Sequence, residues 1–152
     1  VCSSDLIRPY MPEDLKALQW VALGSNVFNA MIPVYPGVDK MPEYLSKAYV
    51  KPTTENFYWV NRIIGALADA HFYENQSNIE RYQLSVDRKL YEMIRKFDQE
   101  FQEKEPEDKK AFFEAANQEI SDFIQEKTTE LLDKVLFTSS CLMRNGFSRS
   151  DA

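Results

Sequence analysis

The sequence predicts an α+β chain that is mostly helical, with a short β-hairpin followed by three helices. Two short apolar runs near the N-terminus, 17–23 and 27–32, have the length and the Pro and Gly borders of buried strands. From residue 53 onwards, apolar residues recur at intervals of three and four, which is typical of amphipathic helices. Since an isolated hairpin is at best marginally stable in water, we expect further strands from outside this chain. The chain is therefore predicted to be a fragment of a larger protein.

The first six residues, VCSSDL, are left out of this prediction. They can be back-translated into a sequence that resembles the end of a sequencing adapter, so we treat 1–6 as an artefact, as one would treat a tag. Three parts are then predicted: 7–52 with the terminal strands and a loop, 53–138 with the helices, and 139–152 as a C-terminal tail.

The two predicted strands are joined by Gly-Ser-Asn at 24–26. Pro33 and Pro36 are expected to end the second strand, since proline has no amide hydrogen to donate to a ladder. The segment 34–52 is rich in proline and is predicted to be irregular, apart from a short helical turn at 43–48.

The first helix is predicted to begin at 53–54, where either threonine can act as the N-cap, and to end near Tyr73. The polar stretch 74–76 then reads as a break. A capping box of the form Ser-x-x-Glu at 77–80 predicts the start of the second helix.

Two long apolar seams follow, separated by the acidic, proline-containing link 105–108. The first seam consists of Ile79, Tyr82, Val86, Leu90, Met93, Phe97 and Phe101. The second consists of Phe112, Phe113, Ala116, Ile120, Phe123, Ile124, Leu131 and Val135. A short link between two amphipathic helices predicts antiparallel neighbours packed seam to seam. Periodicity is lost at residue 138, and Arg-Asn-Gly at 144–146 predicts a turn before the tail.

Composition and charge narrow the function classes. The 24 acidic and 18 basic side chains give a net charge of −6, which argues against nucleic acid or anionic lipid as a partner. No apolar run approaches the roughly 20 residues that span a bilayer, and the N-terminus lacks a signal-peptide pattern. The two cysteines allow no disulfide framework. We therefore predict a soluble, cytoplasmic protein that does not bind membranes.

Few residues are candidates for catalysis or metal binding. His71 has no partner at catalytic or metal-ligand spacing and is expected to be structural. Cys2 could be read as an N-terminal nucleophile, but it lies in the adapter-like segment, and Cys141 is expected to pack. No catalytic residue, metal or cofactor is predicted for this chain.

The most interesting polar cluster is Ser25 and Asn26, which follow the first strand, together with Asn29. Small and amide-bearing residues at the end of a buried strand can face a ligand, so these three are candidate substrate-binding residues. The alternative, which the residues alone favour, is a tight hairpin turn.

Several stretches resemble the C-terminal third of the bacterial dipeptidase A family of N-terminal-nucleophile cysteine dipeptidases. They are RPYMPEDLKALQWVALGS at 8–25, FYW at 57–59, ALADAH at 66–71, IERYQ at 79–83 and LMRNGFSRSDA at 142–152. The likeness extends from about residue 7 to the end.

This resemblance implies an αββα sandwich in which a cysteine at the mature N-terminus attacks the peptide carbonyl and its own α-amino group serves as the base. It implies hydrolysis of dipeptides to amino acids without a metal. The family's nucleophile belongs near the start of the full protein, so Cys2 does not inherit that role, and this chain alone is expected to be inactive.

Two functional readings remain. The first is part of a cysteine dipeptidase with dipeptide substrates, in which the exposed faces of the helices leave room for contacts with other subunits of a homo-oligomer. The second is a non-catalytic interaction module that binds through its helical hairpin.

Overall fold

The computed structural model of the chain describes residues 2–47 and 49–143, which form a three-stranded antiparallel sheet and four α-helices. The strands are β1 (Cys2–Ile7), β2 (Ala17–Ala22) and β3 (Ile32–Val34), in the order β1-β2-β3. The helices are α1 (Glu43–Ser46), α2 (Phe57–Ala70), α3 (Phe72–Lys104) and α4 (Lys109–Cys141). The predicted mostly helical α+β class is confirmed.

Strand β2 is the centre of the sheet. It pairs with β1 so that Leu6 lies opposite Leu18 and with β3 so that Trp20 lies opposite Pro33. Leu18 and Ala22 are buried and alternate along the strand with more exposed residues, as expected of a sheet with one face against a core. Residues 2–7 pair with β2 in this sheet, and the artefact assignment of 1–6 remains a prediction.

The predicted position of the second strand, 27–32, is wrong, as is the tight hairpin turn at 24–26. Residues 25–28 form a turn in which the Phe28 N–H donates to the Ser25 carbonyl at 3.1 Å. The Phe28 ring is buried against Gly65, so a tertiary contact takes this apolar run out of the sheet. Pro33 lies inside β3 rather than ending it, because β3 is an edge strand, where a missing donor is tolerated.

Helix α1 lies within the predicted turn at 43–48, but the start of α2 differs from the prediction. Its N-cap is Asn56, whose Oδ1 accepts from the Trp59 N–H at 3.2 Å. Thr53, one of the two predicted caps, instead accepts from Glu55 N in the loop before the helix, at 3.1 Å. Both positions offer a suitable capping side chain, and the backbone conformation selects the later one.

The predicted break at 74–76 lies inside α3, because the chain bends only at His71, between α2 and α3. The Ser-x-x-Glu pattern at 77–80 is consequently not a capping box. Asn75 is buried, and its Nδ2 donates to the His71 carbonyl at 3.1 Å and to Ser139 Oγ of α4 at 3.2 Å. Contacts with α2 and α4 thus keep a locally polar stretch helical.

Helices α3 and α4 form the predicted antiparallel hairpin. Each has 33 residues and is therefore about 50 Å long. The first seam is buried throughout, and in the second only Phe112 and Phe123 are partly exposed. Near the link Phe101 stacks on Phe113 with ring centroids 5.0 Å apart, and farther along the Tyr82 hydroxyl lies 3.2 Å from Thr128 Oγ1. The seam-to-seam packing is confirmed.

The link between α3 and α4 contains a cap for each helix end. Glu105 adopts a left-handed conformation with φ of 42° as α3 ends, and Asp108 accepts from Ala111 N at 2.9 Å as α4 begins. At its other end α4 runs past the predicted boundary at 138 to Cys141. The prediction that Cys141 packs is wrong, since this free cysteine is exposed. The predicted turn at 144–146 lies outside the described residues.

None of the described helices combines the length and the apolar character needed to cross a membrane.

Tyr35 attaches the sheet to the hairpin. It directly follows β3, and its backbone N–H donates to Asn117 Oδ1 of α4 at 2.8 Å while its carbonyl accepts from Asn117 Nδ2 at 3.0 Å. The buried amide of Asn117 thereby supplies the pairing that a neighbouring strand would give. On the other side, the Tyr35 hydroxyl donates to Asp98 Oδ1 of α3 at 2.9 Å. One residue therefore contacts both long helices.

Asp98 is also paired with Arg8, which lies just after β1. The Arg8 Nη1 to Asp98 Oδ2 distance is 2.5 Å, and Nη2 donates to the Leu15 carbonyl at 2.5 Å. Because both side chains are largely shielded from solvent, this ion pair is screened less by salt than a surface pair. It fixes the lead-in loop against α3.

Three buried tyrosines hold protonated hydroxyls in the core. Burial raises the pKa of Tyr82 to about 12. Burial also raises the pKa of Tyr44 and, with the nearby Asp98 carboxylate, the pKa of Tyr35. Ionisation of these phenols is therefore easier in the unfolded chain than in the folded one.

We expect Asn117→Leu to lower the free energy of unfolding by about 2–4 kcal/mol, because it leaves the buried N–H and carbonyl of Tyr35 without partners. Urea unfolding followed by circular dichroism at 222 nm measures the change. Gln118→Leu, at the exposed neighbouring position, is the matched control and should change stability by no more than about 0.5 kcal/mol. Equal effects of the two variants would show that the hydrogen bonds between Asn117 and the Tyr35 backbone contribute nothing to stability.

We expect stability to fall as pH rises above about 10, the pKa of an unfolded tyrosine. A group with a raised folded pKa stabilises the fold below its unfolded pKa, and for Tyr82 that contribution disappears between about 10 and 12. Urea midpoints measured from pH 8.5 to 11.5 test this. Tyr82→Phe should make the decline shallower, by up to about 1.4 kcal/mol per pH unit, whereas the exposed control Tyr10→Phe should leave it unchanged.

Candidate functional site

An open cleft of about 690 Å³ lies between the sheet, the loop that follows β2, and helix α3. This volume is within the usual range for small-molecule sites. The strands and loop contribute Ser4, Leu6, Trp20, Asn29, Ala30 and Met31, and α3 contributes Glu80, Gln83, Leu84, Asp87 and Tyr91. The lining is thus mostly apolar, with a few polar groups.

The residues that α3 contributes to the cleft all lie on one side of the helix. Residues 80, 84, 87 and 91 are separated by three or four positions, and residue 83 lies three positions after 80 and four before 87, so all five share one side of the helix. This stripe runs beside the buried seam, which includes Val86 and Leu90 and packs against α4. Packing of the hairpin therefore turns the cleft stripe towards the sheet.

The aromatic part of the wall is formed by Trp20 and Tyr91. Their ring centroids are 5.2 Å apart with an interplanar angle of 43°. Trp20 shares a face of β2 with the buried Leu18 and Ala22, so the strand itself directs its indole towards α3. The two inclined rings form an aromatic surface at the end of the cleft nearest Tyr91.

The loop is held against α3 by hydrogen bonds. The Gln83 side-chain amide donates to the Val27 carbonyl at 3.1 Å and to the Asn29 carbonyl at 2.9 Å. Asn29 Nδ2 donates in turn to the Leu23 carbonyl at 2.6 Å. Asn29 is 3% exposed, and its Oδ1 is buried without accepting a hydrogen bond from any residue in the described ranges.

Of the three residues predicted to contact substrate, only Asn29 lines the cleft. Ser25 and Asn26 are exposed, and neither is among the lining residues. The structure therefore does not bring the three side chains together at the cleft. Contact of any of them with a substrate stays a prediction.

The charged residues that line the cleft are both acidic. Glu80 accepts from Gln76 at 2.7 Å, whereas Asp87 makes no hydrogen bond or ion pair with the described part of the chain. Partial burial at the rim raises the pKa of the Asp87 carboxyl. Since no Lys, Arg or His is among the described residues that line it, the cleft has a negative field.

Sequence reasoning missed the helical half of this cleft. The outer faces of the two long helices carry charges of alternating sign, which is typical of a solvated surface, and Gln83 and Asp87 belong to that pattern. A usable signal was present nonetheless: Leu84 and Tyr91, both large and more than half exposed, interrupt the polar surface at helical spacing. Apolar residues on an otherwise polar helix face indicate a binding surface.

The described lining provides polar contacts for a ligand but no cysteine, histidine or lysine for catalysis. His71 lies at the junction of α2 and α3, away from the cleft lining. Over residues 2–47 and 49–143, no three His, Cys, Asp or Glu side chains converge as a metal site requires. The arrangement is that of a binding surface.

Comparison with known proteins gives a consistent result. Residues 5–85 match the model of peptidase family C69, which is more than half of the chain. The chain is 39% identical over 145 residues to a probable dipeptidase A of Streptococcus pyogenes serotype M18, and 34% identical over 183 residues to a dipeptidase of Bifidobacterium longum. It is 30% identical over 140 residues to dipeptidase A of Lactobacillus helveticus.

These alignments cover 90–95% of the chain but only 29–34% of the length of the relatives. The chain thus spans about a third of the curated proteins that it matches.

We expect Gln83→Ala to loosen the loop without unfolding the chain, because it removes two hydrogen bonds from a partly exposed side chain. Hydrogen exchange of the Phe28 amide, which closes the loop turn, should become at least about 5-fold faster, as the two lost hydrogen bonds together are worth about 1–3 kcal/mol. Gln99→Ala, an exposed glutamine on the same helix, is the control. Unchanged exchange in Gln83→Ala would show that this side chain does not hold the loop.

Proposed function

Since the chain belongs to peptidase family C69, we propose that it is part of a dipeptidase that hydrolyses dipeptides to free amino acids through a cysteine nucleophile. The observation that carries this proposal is the family match over residues 5–85, together with relatives named as dipeptidases that align with nearly the whole chain. It supports the enzyme reading over the non-catalytic interaction module.

We place the nucleophile in a part of the protein upstream of this chain. In the proposed reaction its thiolate attacks the peptide carbonyl, and the free α-amino group of the same residue takes the thiol proton. Hydrogen-bond donors across the active site would stabilise the oxyanion of the tetrahedral intermediate. The amine of the second amino acid leaves with a proton, and water then hydrolyses the thioester to release the first amino acid and the free thiol.

This chain would contribute a wall of the substrate site rather than reactive groups. Its cleft has an apolar lining and two carboxylates, and Gln83 and Asn29 hold its loop in place. Substrate contacts of Ser25, Asn26 and Asn29 belong to the proposal as well. We also propose that the protein forms a homo-oligomer in which subunits contact one another through the outer faces of α3 and α4. A cytoplasmic location, where a reactive thiol remains reduced, is part of the proposal too.

The test is to recover the coding region upstream of residue 7 and to assay both the longer protein and the 152-residue chain for cleavage of apolar dipeptides. The longer protein should hydrolyse them, retain activity in EDTA and lose it after thiol alkylation. Changing the proposed upstream cysteine to serine should reduce kcat by about 10⁴-fold or more. The 152-residue chain should show no turnover.

Cys141→Ser in the longer protein is the matched control, because Cys141 is an exposed free thiol and should be dispensable. Thiol-dependent turnover by the 152-residue chain alone would contradict the upstream nucleophile. Loss of activity in EDTA that added metal restores would contradict the cysteine mechanism.

A further inference from the structure

The cleft beside α3 matches one kind of ligand group, a cation. Its charged lining residues, Glu80 and Asp87, are both acidic, and residues 2–47 and 49–143 add no basic side chain to the lining. A carboxylate or phosphate group would be repelled here, whereas a protonated amine would be attracted. Charge complementarity therefore selects a positively charged ligand.

A buried acceptor supports this choice. Asn29 Nδ2 is engaged by the Leu23 carbonyl, so the side-chain amide is held with Oδ1 as its free acceptor. A buried acceptor without a donor costs about 1–3 kcal/mol, and Asn29 is 3% exposed in the wall of the cleft. The Oδ1 atom is closed to solvent in the unliganded cleft, and a ligand N–H group that reached it would supply the missing donor.

Asp87 lacks a compensating charge. Its carboxyl is partly buried at the cleft rim, which raises its pKa, and it forms no ion pair with residues in the described ranges. Glu80, one of the two acids in the cleft, already accepts a hydrogen bond from Gln76. Asp87 is consequently the carboxylate best placed to gain from a bound ammonium.

The rest of the lining suits an apolar side chain of modest size. Trp20 and Tyr91 form an aromatic surface, and Leu84 is 73% exposed beside them. The stretch of α3 from residue 80 to residue 91 is about 16 Å long, whereas two extended residues span about 7 Å. The cleft is long enough for a dipeptide lying along the helix.

We propose that this cleft binds a protonated primary amine attached to an apolar side chain, with the ammonium between Asp87 and Asn29 and the side chain on Trp20 and Tyr91. Resting on the proposed function, we identify this group as the α-ammonium and first side chain of the dipeptide substrate. The cleft thereby selects dipeptides that have a free amino terminus and an apolar first residue.

The test uses L-leucinamide, which has the ammonium and the apolar side chain but no carboxylate. In two-dimensional ¹H–¹⁵N NMR of the 152-residue chain, the Trp20 indole signal should shift saturably on titration. The Trp59 indole, which donates to the Tyr49 carbonyl outside the cleft, is an internal reference and should not move. N-acetyl-L-leucinamide, which has no ammonium, should bind at least about tenfold more weakly.

Asp87→Asn should weaken leucinamide binding at least about fivefold while leaving the fold intact, since residue 87 is exposed on one side. Asp133→Asn removes an exposed carboxylate from α4 and should have no effect. Equal binding of the acetylated compound, an unchanged affinity in Asp87→Asn, or the absence of a saturable Trp20 shift would each overturn the proposal.

These outcomes are separable from those of the activity assay. Leucinamide binding needs no upstream nucleophile, so saturable binding by the 152-residue chain, together with no peptidase activity of the longer protein, would support the amine site and contradict the proposed function. Dipeptide hydrolysis by the longer protein, with no leucinamide binding at the cleft, would support the proposed function and contradict the amine site.

Discussion

The attachment of Tyr35 to both long helices is the constraint on which the remaining structure depends. Its backbone is clamped by Asn117 of α4, and its hydroxyl reaches Asp98 of α3. Its ring stacks on Phe113 with centroids 5.0 Å apart. A three-residue edge strand such as β3 has little stability of its own. The sheet keeps its position because the residue that follows β3 is fixed in the core of the hairpin.

That attachment also positions the cleft. Helix α3 carries the buried seam and the cleft stripe side by side, so a rotation of α3 relative to α4 would move both. Arg8 pairs with the same Asp98 carboxylate that accepts from Tyr35, which joins the end of β1 to α3 as well. Trp20 on β2 and Tyr91 on α3 are thus brought together by contacts made elsewhere in the molecule.

The sequence predicted the features that depend on local periodicity and little of what depends on distant contacts. The seams from Ile79 to Phe101 and from Phe112 to Val135 are determined by spacing along one helix, and the structure has both. The polar residue Asn75 was predicted to lie in a helix break, but its hydrogen bond to Ser139 of α4 keeps it inside a helix. The run 27–32 was predicted to be a strand, but the contact of Phe28 with Gly65 takes it out of the sheet. The cleft combines residues of β2, a loop and α3, so no single periodic pattern contains it.

Buried polar pairs explain why the hairpin holds one register. A shift of one helical turn, about 5.4 Å, would preserve much of the contact between two apolar seams of this length. It would, however, separate Tyr82 from Thr128, Asn75 from Ser139 and Asn117 from Tyr35. Each of these groups would then be buried without a partner, at a cost of about 1–3 kcal/mol. Apolar burial therefore stabilises the hairpin, whereas its buried hydrogen bonds select the register that places the cleft stripe opposite Trp20 and Asn29.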